Sequence, residues 1–206
     1  LIVCSVNELG VFRRNAWLLH RLNFTVTAGE CWLITGQNGS GKTTLLRTLA
    51  GLCLPDTGHV VYSHQTHNPL SLLYIGSPPA KIPELSVIEN CRFQALLRWG
   101  KQPDAAGLVK ALRYWGIDDL AEERLENLSQ GQQQRVSLAL LLLGPATLWL
   151  LDEPSTGLDA AGTETLWALC RQHQARGGSI LMATHQAPIN SIKGSRAIQL
   201  GVHGDG

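Results

Sequence analysis

The chain has 206 residues, of which 44% are hydrophobic, enough to bury one sizeable core and sized for one domain with or without a small lobe. Its 17 Lys+Arg against 16 Asp+Glu give a formal charge of +1, so there is no global basic field of the kind that binds nucleic acid. The five cysteines form no C-x-x-C pair and read as reduced, mostly core thiols rather than a disulfide framework or a metal site.

Residues 1–6 predict a strand followed by a polar turn, and residues 22–26 a second strand. Ala28-Gly29-Glu30 turns the chain into an apolar strand over residues 31–35. That strand feeds GQNGSGKTT, made of Gly36, Gln37, Asn38, Gly39, Ser40, Gly41, Lys42, Thr43 and Thr44. The stretch fits G-x-x-x-x-G-K-[ST] and a helical pattern leads out of it. Glycines at these spacings let successive N–H groups point inward as a nest for phosphate oxygens, and the helix start adds its positive dipole end. Lys42 then reaches the β- and γ-phosphates and the Thr43 hydroxyl is a ligand for Mg²⁺. The bland alternative is a glycine-rich turn before a helix. Gly51 sits where that helix would end. Residues 55–58 form a turn before a strand over 59–62, and residues 72–75 read as a buried strand. His64 and His67 between them read as surface residues rather than ligands.

Ser86 and Glu89 form a capping box that opens a helix to about Trp99. Asp104 caps another, with Leu108, Leu112 and Trp115 on one face and Gly116 at its end. Residues 80–126 therefore predict a small helical lobe set into an α/β core, with Trp99 and Trp115 packing it. The longest apolar run, 136–151, is broken by Gly144-Pro145, well short of the ~20 residues of a membrane span. The expectation is a chain that is soluble by itself and reaches a membrane only through a partner.

LSQGQ, residues 128–132, precedes a long helix. Ser129 and Gln132 stand at capping-box spacing. The alternative to plain capping is a second anion site made of the Ser129 hydroxyl, the backbone at Gly131 and a helix dipole end. LWLLDE, residues 148–153, is an apolar strand ending in two carboxylates. It places Asp152 at the C-terminal edge of a buried parallel strand, where ligands sit in such sheets. There Asp152 holds Mg²⁺ through water and Glu153 orients or deprotonates an attacking water. Asp159 reads as the N-cap of a helix to about Arg176, followed by a strand over 179–184. His185 stands at the end of that strand as a γ-phosphate contact or a polar loop residue.

Together these motifs resemble the nucleotide-binding subunits of ATP-binding cassette (ABC) transporters. Gly36–Thr43 matches Walker A, LSQGQ the ABC signature, LWLLDE Walker B with its catalytic Glu, STGLD at 155–159 the D-loop, and Thr184-His185 the switch histidine. The resemblance implies one nucleotide-binding domain over 1–206: a P-loop NTPase core of ABC type at 1–79 and 127–206, with an N-terminal antiparallel β subdomain and a helical lobe at about 80–126. It also implies ATP and Mg²⁺ as cofactors, with Glu153 and His185 catalytic and Thr43 and Asp152 on the metal. ATP lies between the Walker A of one copy and the Ser129, Gly131, Gln132 and Asp159 region of a second, in a head-to-tail homodimer. The implied partners are transmembrane permease subunits, with no nucleic acid. The implied place is the cytoplasmic face of an inner membrane, or the matrix face in an organelle. TLWLLDEP at 147–154, LLYIG at 72–76 and ATHQ with Pro188 resemble the haem-exporter branch of cytochrome c maturation (Ccm) most closely.

The chain departs from the family pattern in the loop after residues 72–75. Pro78 stands where a Gln usually touches Mg²⁺ and the membrane partner, which implies weaker coordination and slow basal turnover. The resemblance also implies an aromatic that stacks on adenine near the N-terminus: Phe12 is nearest in position, Trp17 is the other candidate, and core packing is the plain reading of both. A nucleic-acid-acting ABC protein would carry long coiled coils or a second cassette. A small-molecule kinase would leave LSQGQ without a job.

Overall fold

The computed structural model describes residues 1–63, 71–77, 81–184 and 194–201. Two sheets form. One is antiparallel, in the order β2-β1-β4, from β1 (Ile2–Arg13), β2 (Ala16–Thr27) and β4 (Thr57–Tyr62). The other is parallel, in the order β5-β6-β7-β3-β8, from β3 (Cys31–Gly36), β5 (Leu72–Ile75), β6 (Leu148–Asp152), β7 (Ser179–Ala183) and β8 (Arg196–Leu200).

The N-terminal hairpin is twice as long as its hydrophobic pattern suggests. The expected turn after Val6 is absent; β1 runs on to Arg13 and the chain reverses at Arg14 and Asn15, both at positive φ. Register shifts around Leu9 and a left-handed Glu8 break the strict alternation and hide the strand. β8, at the edge of the parallel sheet beside β3, carries only one buried residue, Leu200, and gave no apolar signal.

The three strands at the centre of the site are apolar along most of their length because both of their faces are covered. Leu148 and Leu150 of β6, Leu181 and Ala183 of β7, and Trp32 and Ile34 of β3 face a core shared with the antiparallel sheet and helix α1 (Lys42–Leu49). Their alternates, Trp149, Leu151, Ile180, Met182, Cys31 and Leu33, face a second core. That core includes residues of α2 (Val87–Trp99), α3 (Ala105–Tyr114), α4 (Gln130–Ala139) and α5 (Ala160–Ala175). The period of two thus splits every central strand between two hydrophobic layers. Cys4, Cys31, Cys91 and Cys170 are buried free thiols, and burial pushes Cys4, Cys31 and Cys91 up to about 12, out of the reactive range.

The capping signals hold at atomic detail. Ser86 Oγ accepts from Glu89 N while Glu89 returns to Ser86 N, and Asp104 accepts from Gly107 N. Trp115 is buried in the lobe, and Trp99 packs against the same core with its ring over Gly144. A Cβ at Gly144 would lie 2.2 Å from that ring. Gly144→Ala is therefore expected to destabilise the chain by about 1–3 kcal/mol through overpacking. Chemical denaturation checks this, and an unchanged midpoint would show that Trp99 has room to move. Among the described residues, no helix is long and apolar enough to cross a membrane.

Candidate nucleotide site

The parallel order brings the C-terminal ends of β3 and β6 to one edge with β7 between them. Beyond β3 the backbone curls: Ser40 N donates to Gln37 O at 3.2 Å, and Gly39 and Gly41 adopt positive φ before α1 begins at Lys42. Gly41 has a second constraint, since a Cβ there would meet Leu19 Cδ2 at 2.8 Å. The Lys42 Nζ folds back to donate to Gly36 O at 2.8 Å and Gln37 O at 3.1 Å. An ammonium carries three donors, so one remains for a phosphate oxygen.

A cleft of about 370 Å³ opens over this loop. Asn38, Gly39, Gly41, Lys42, Thr43 and Thr44 line one side, with Ser77, Asp152 and Glu153 on the other. Asp152 is 2% exposed, and burial pushes its carboxyl above the usual range. The Thr43 hydroxyl, Arg47, the Ser77 N–H and Lys42 oppose that shift and favour the charged form. Its Oδ2 is buried with no hydrogen-bond partner, as is Ser40 Oγ. A buried carboxylate oxygen left unpaired beside a threonine hydroxyl fits a hard divalent cation with oxygen ligands such as Mg²⁺. Glu153 follows with φ 49, and its N–H donates to Ala183 O at 2.8 Å.

The cleft includes two residues that sequence reasoning missed, Leu18 and Ser77. Leu18 lies on the hidden half of the hairpin, beyond the left-handed Arg21 that breaks the alternation upstream of residue 22. Phe12, the expected adenine stack, does not line the cleft. It lies 41% exposed, edge-on to Trp17 with ring centroids 5.3 Å apart.

Ser129, Gly131, Gln132 and Asp159 are also absent from the cleft lining. Ser129 is exposed at the start of α4; its Oγ accepts from Gln132 N at 3.3 Å and its N–H donates to Gln132 Oε1 at 2.9 Å. Asp159 caps α5 by accepting from Gly162 N and pairs with Arg135, each at 2.8 Å. His185, Pro78, His64, His67 and Pro188 lie outside the described residues.

A phosphate-cradling loop, a buried carboxylate across the cleft and a strand–helix order built around both define a phosphate-loop nucleotide-binding cassette. The chain belongs to the ABC transporter family, whose profile matches residues 19–156. It is similar to the cytochrome c biogenesis ATP-binding export protein CcmA of Shigella flexneri, 41% identical over 192 residues that cover 90% of each chain. CcmA 2 of Cupriavidus metallidurans is 38% identical over 190 residues, 89% of this chain and 90% of that one. The fold matches an ATP-binding cassette solved as a dimer in a post-hydrolysis state with ADP and phosphate, at TM-score 0.83 and 22% identity, over 97% of this chain and 96% of that chain. The protein is thus an ABC ATP-binding subunit and an ATPase, of a family whose subunits work as dimers with membrane permeases.

Proposed function

We propose that this chain hydrolyses ATP as the motor subunit of an export complex of cytochrome c biogenesis, the haem-exporter branch. The single nucleotide-binding domain, with its core at 1–79 and 127–206 and its lobe at about 80–126, sits on the cytoplasmic face of an inner membrane, or on the matrix face in an organelle. Its partners are Ccm-like membrane subunits. The identity to export proteins of cytochrome c biogenesis supports the choice of system. One observation carries the mechanism: the Ser129 helix start is exposed and takes no part in lining the cleft that holds Lys42 and Asp152. A second copy placed head to tail brings the partner's Ser129 to this cleft, which closes a C₂ dimer.

In that arrangement the loop N–H groups from Gln37 to Thr44 and the Lys42 ammonium bind the phosphates. Thr43 and Asp152 would hold Mg²⁺, which would supply charge neutralisation to the phosphates. Glu153 orients the attacking water and takes its proton as the new O–P bond forms and the bond to the β-phosphate oxygen breaks. His185 contacts the γ-phosphate, and Phe12 or Trp17 carries the adenine once closure brings the hairpin onto it. Asp159 lies at the edge between copies.

Ser129→Arg places a long cation where the partner's nucleotide must seat. ATP affinity of the single chain is expected to stay within about twofold, while ATP-dependent dimers disappear. Light scattering with and without Mg-ATP checks this, and dimers forming as in the parent would contradict the trans site. The choice of system is tested by affinity purification from detergent-solubilised membranes with partner identification by mass spectrometry. Recovery of cytochrome c biogenesis membrane subunits is the expected result; recovery of a different permease would overturn that choice.

A further inference from the structure

α4 grips the turn that carries Glu153. Gly131, Gln134 and Arg135 lie on one face of the helix, at helical spacing. Gly131 lies so close that a Cβ there would meet Gly157 O at 2.5 Å. Arg135 Nη2 donates to Asp159 Oδ1 at 2.8 Å, and Nη1 to Trp115 O at 3.3 Å. The middle contact is buried: Gln134 is 7% exposed and its Nε2 donates to Pro154 O at 2.9 Å.

That carbonyl belongs to the residue directly after Glu153. Glu153 holds φ 49, a left-handed conformation that a non-glycine residue disfavours and that the following Pro154 disfavours further. Such a conformation persists only where its surroundings hold it. On one side Glu153 N donates to Ala183 O, and Thr156 N closes the turn on Glu153 O at 3.1 Å. On the other side the tie from α4 is the Gln134 carboxamide.

We propose that Gln134 is a positioning residue for Glu153. It anchors the strained turn to α4, so that the same helix that offers Ser129 to one nucleotide fixes the carboxylate that acts on the other. This rests on the reading of Glu153 as the base. The motif pattern gave no hint of it, because Gln134 falls outside LSQGQ and its partner is a backbone atom twenty residues on.

The test uses the full chain with its membrane subunits and Mg-ATP. Gln134→Met keeps the buried volume and loses the donor. kcat is expected to fall about 10–100-fold while KM and ATP affinity stay within about twofold, since the cost falls on geometry at the reacting atoms. Gln134→Glu restores a donor only when its carboxyl is protonated. Its kcat, taken relative to the parent at each pH, is therefore expected to rise as pH falls through that carboxyl's burial-raised pKa. Parent-level kcat in Gln134→Met would overturn the proposal, as would a loss of ATP affinity in step with kcat. If Gln134→Met fails to fold, a flat pH ratio in Gln134→Glu overturns it. Glu153→Gln run alongside separates the two readings: parent-level turnover there sinks the base itself, whereas turnover lost in Glu153→Gln but intact in Gln134→Met sinks the positioning role alone.

Discussion

Glu153→Gln is expected to lower the ATPase kcat by about a thousandfold while leaving ATP affinity unchanged. A carboxamide has nearly the shape of the carboxylate but cannot accept a proton, and general bases contribute roughly 10²–10⁴-fold. The substitution leaves residues 36–44 unchanged, and the backbone of Glu153 remains pinned to Ala183 O. Nucleotide titration and steady-state hydrolysis measured on the same preparation separate binding from chemistry. A rate within tenfold of the parent would move the base to another group.

Lys42→Ala is expected to have the largest effect on binding. Lys42 is 7% exposed, and its ammonium closes the loop by donating to Gly36 O and Gln37 O. Truncation removes a charge from the phosphate site and leaves both loop carbonyls short of a donor. Losing one member of a buried, hydrogen-bonded charge pair costs about 2–5 kcal/mol, so ATP affinity should fall by roughly thirtyfold or more. The fold should persist, because α1 keeps Leu45, Leu46 and Leu49 in the core between the sheets. Parent-like ATP affinity in a folded Lys42→Ala chain would contradict the phosphate reading of the loop.

Much of this site is written locally. The phosphate loop is a run of contiguous residues, so its glycine spacing is visible without knowledge of any distant partner. β6 announces itself because both of its faces are buried, which makes Leu148 to Leu151 a continuous apolar run ending at Asp152. The caps at Ser86, Asp104, Ser129 and Asp159 are contacts within four residues, so spacing alone finds them. What stayed hidden depends on distant partners. Bulges masked the far half of the hairpin and with it Leu18. β8 is mostly exposed and is held by pairing with β3, with only Ile198 and Leu200 reaching the core. The Ser77 N–H and the Gln134 carboxamide act on atoms brought near only by the fold. Phe12, a base contact by its position in the chain, has its ring against Trp17 at the exposed end of the hairpin, outside the lining of the cleft of a single copy.

In the proposed assembly each nucleotide site is completed by a second copy of the chain. Sedimentation velocity of the Glu153→Gln chain with and without Mg-ATP tests it most directly, because turnover no longer reopens the complex. A monomer without nucleotide and a dimer with Mg-ATP are the expected result. A chain that binds Mg-ATP and remains monomeric at every concentration would contradict it.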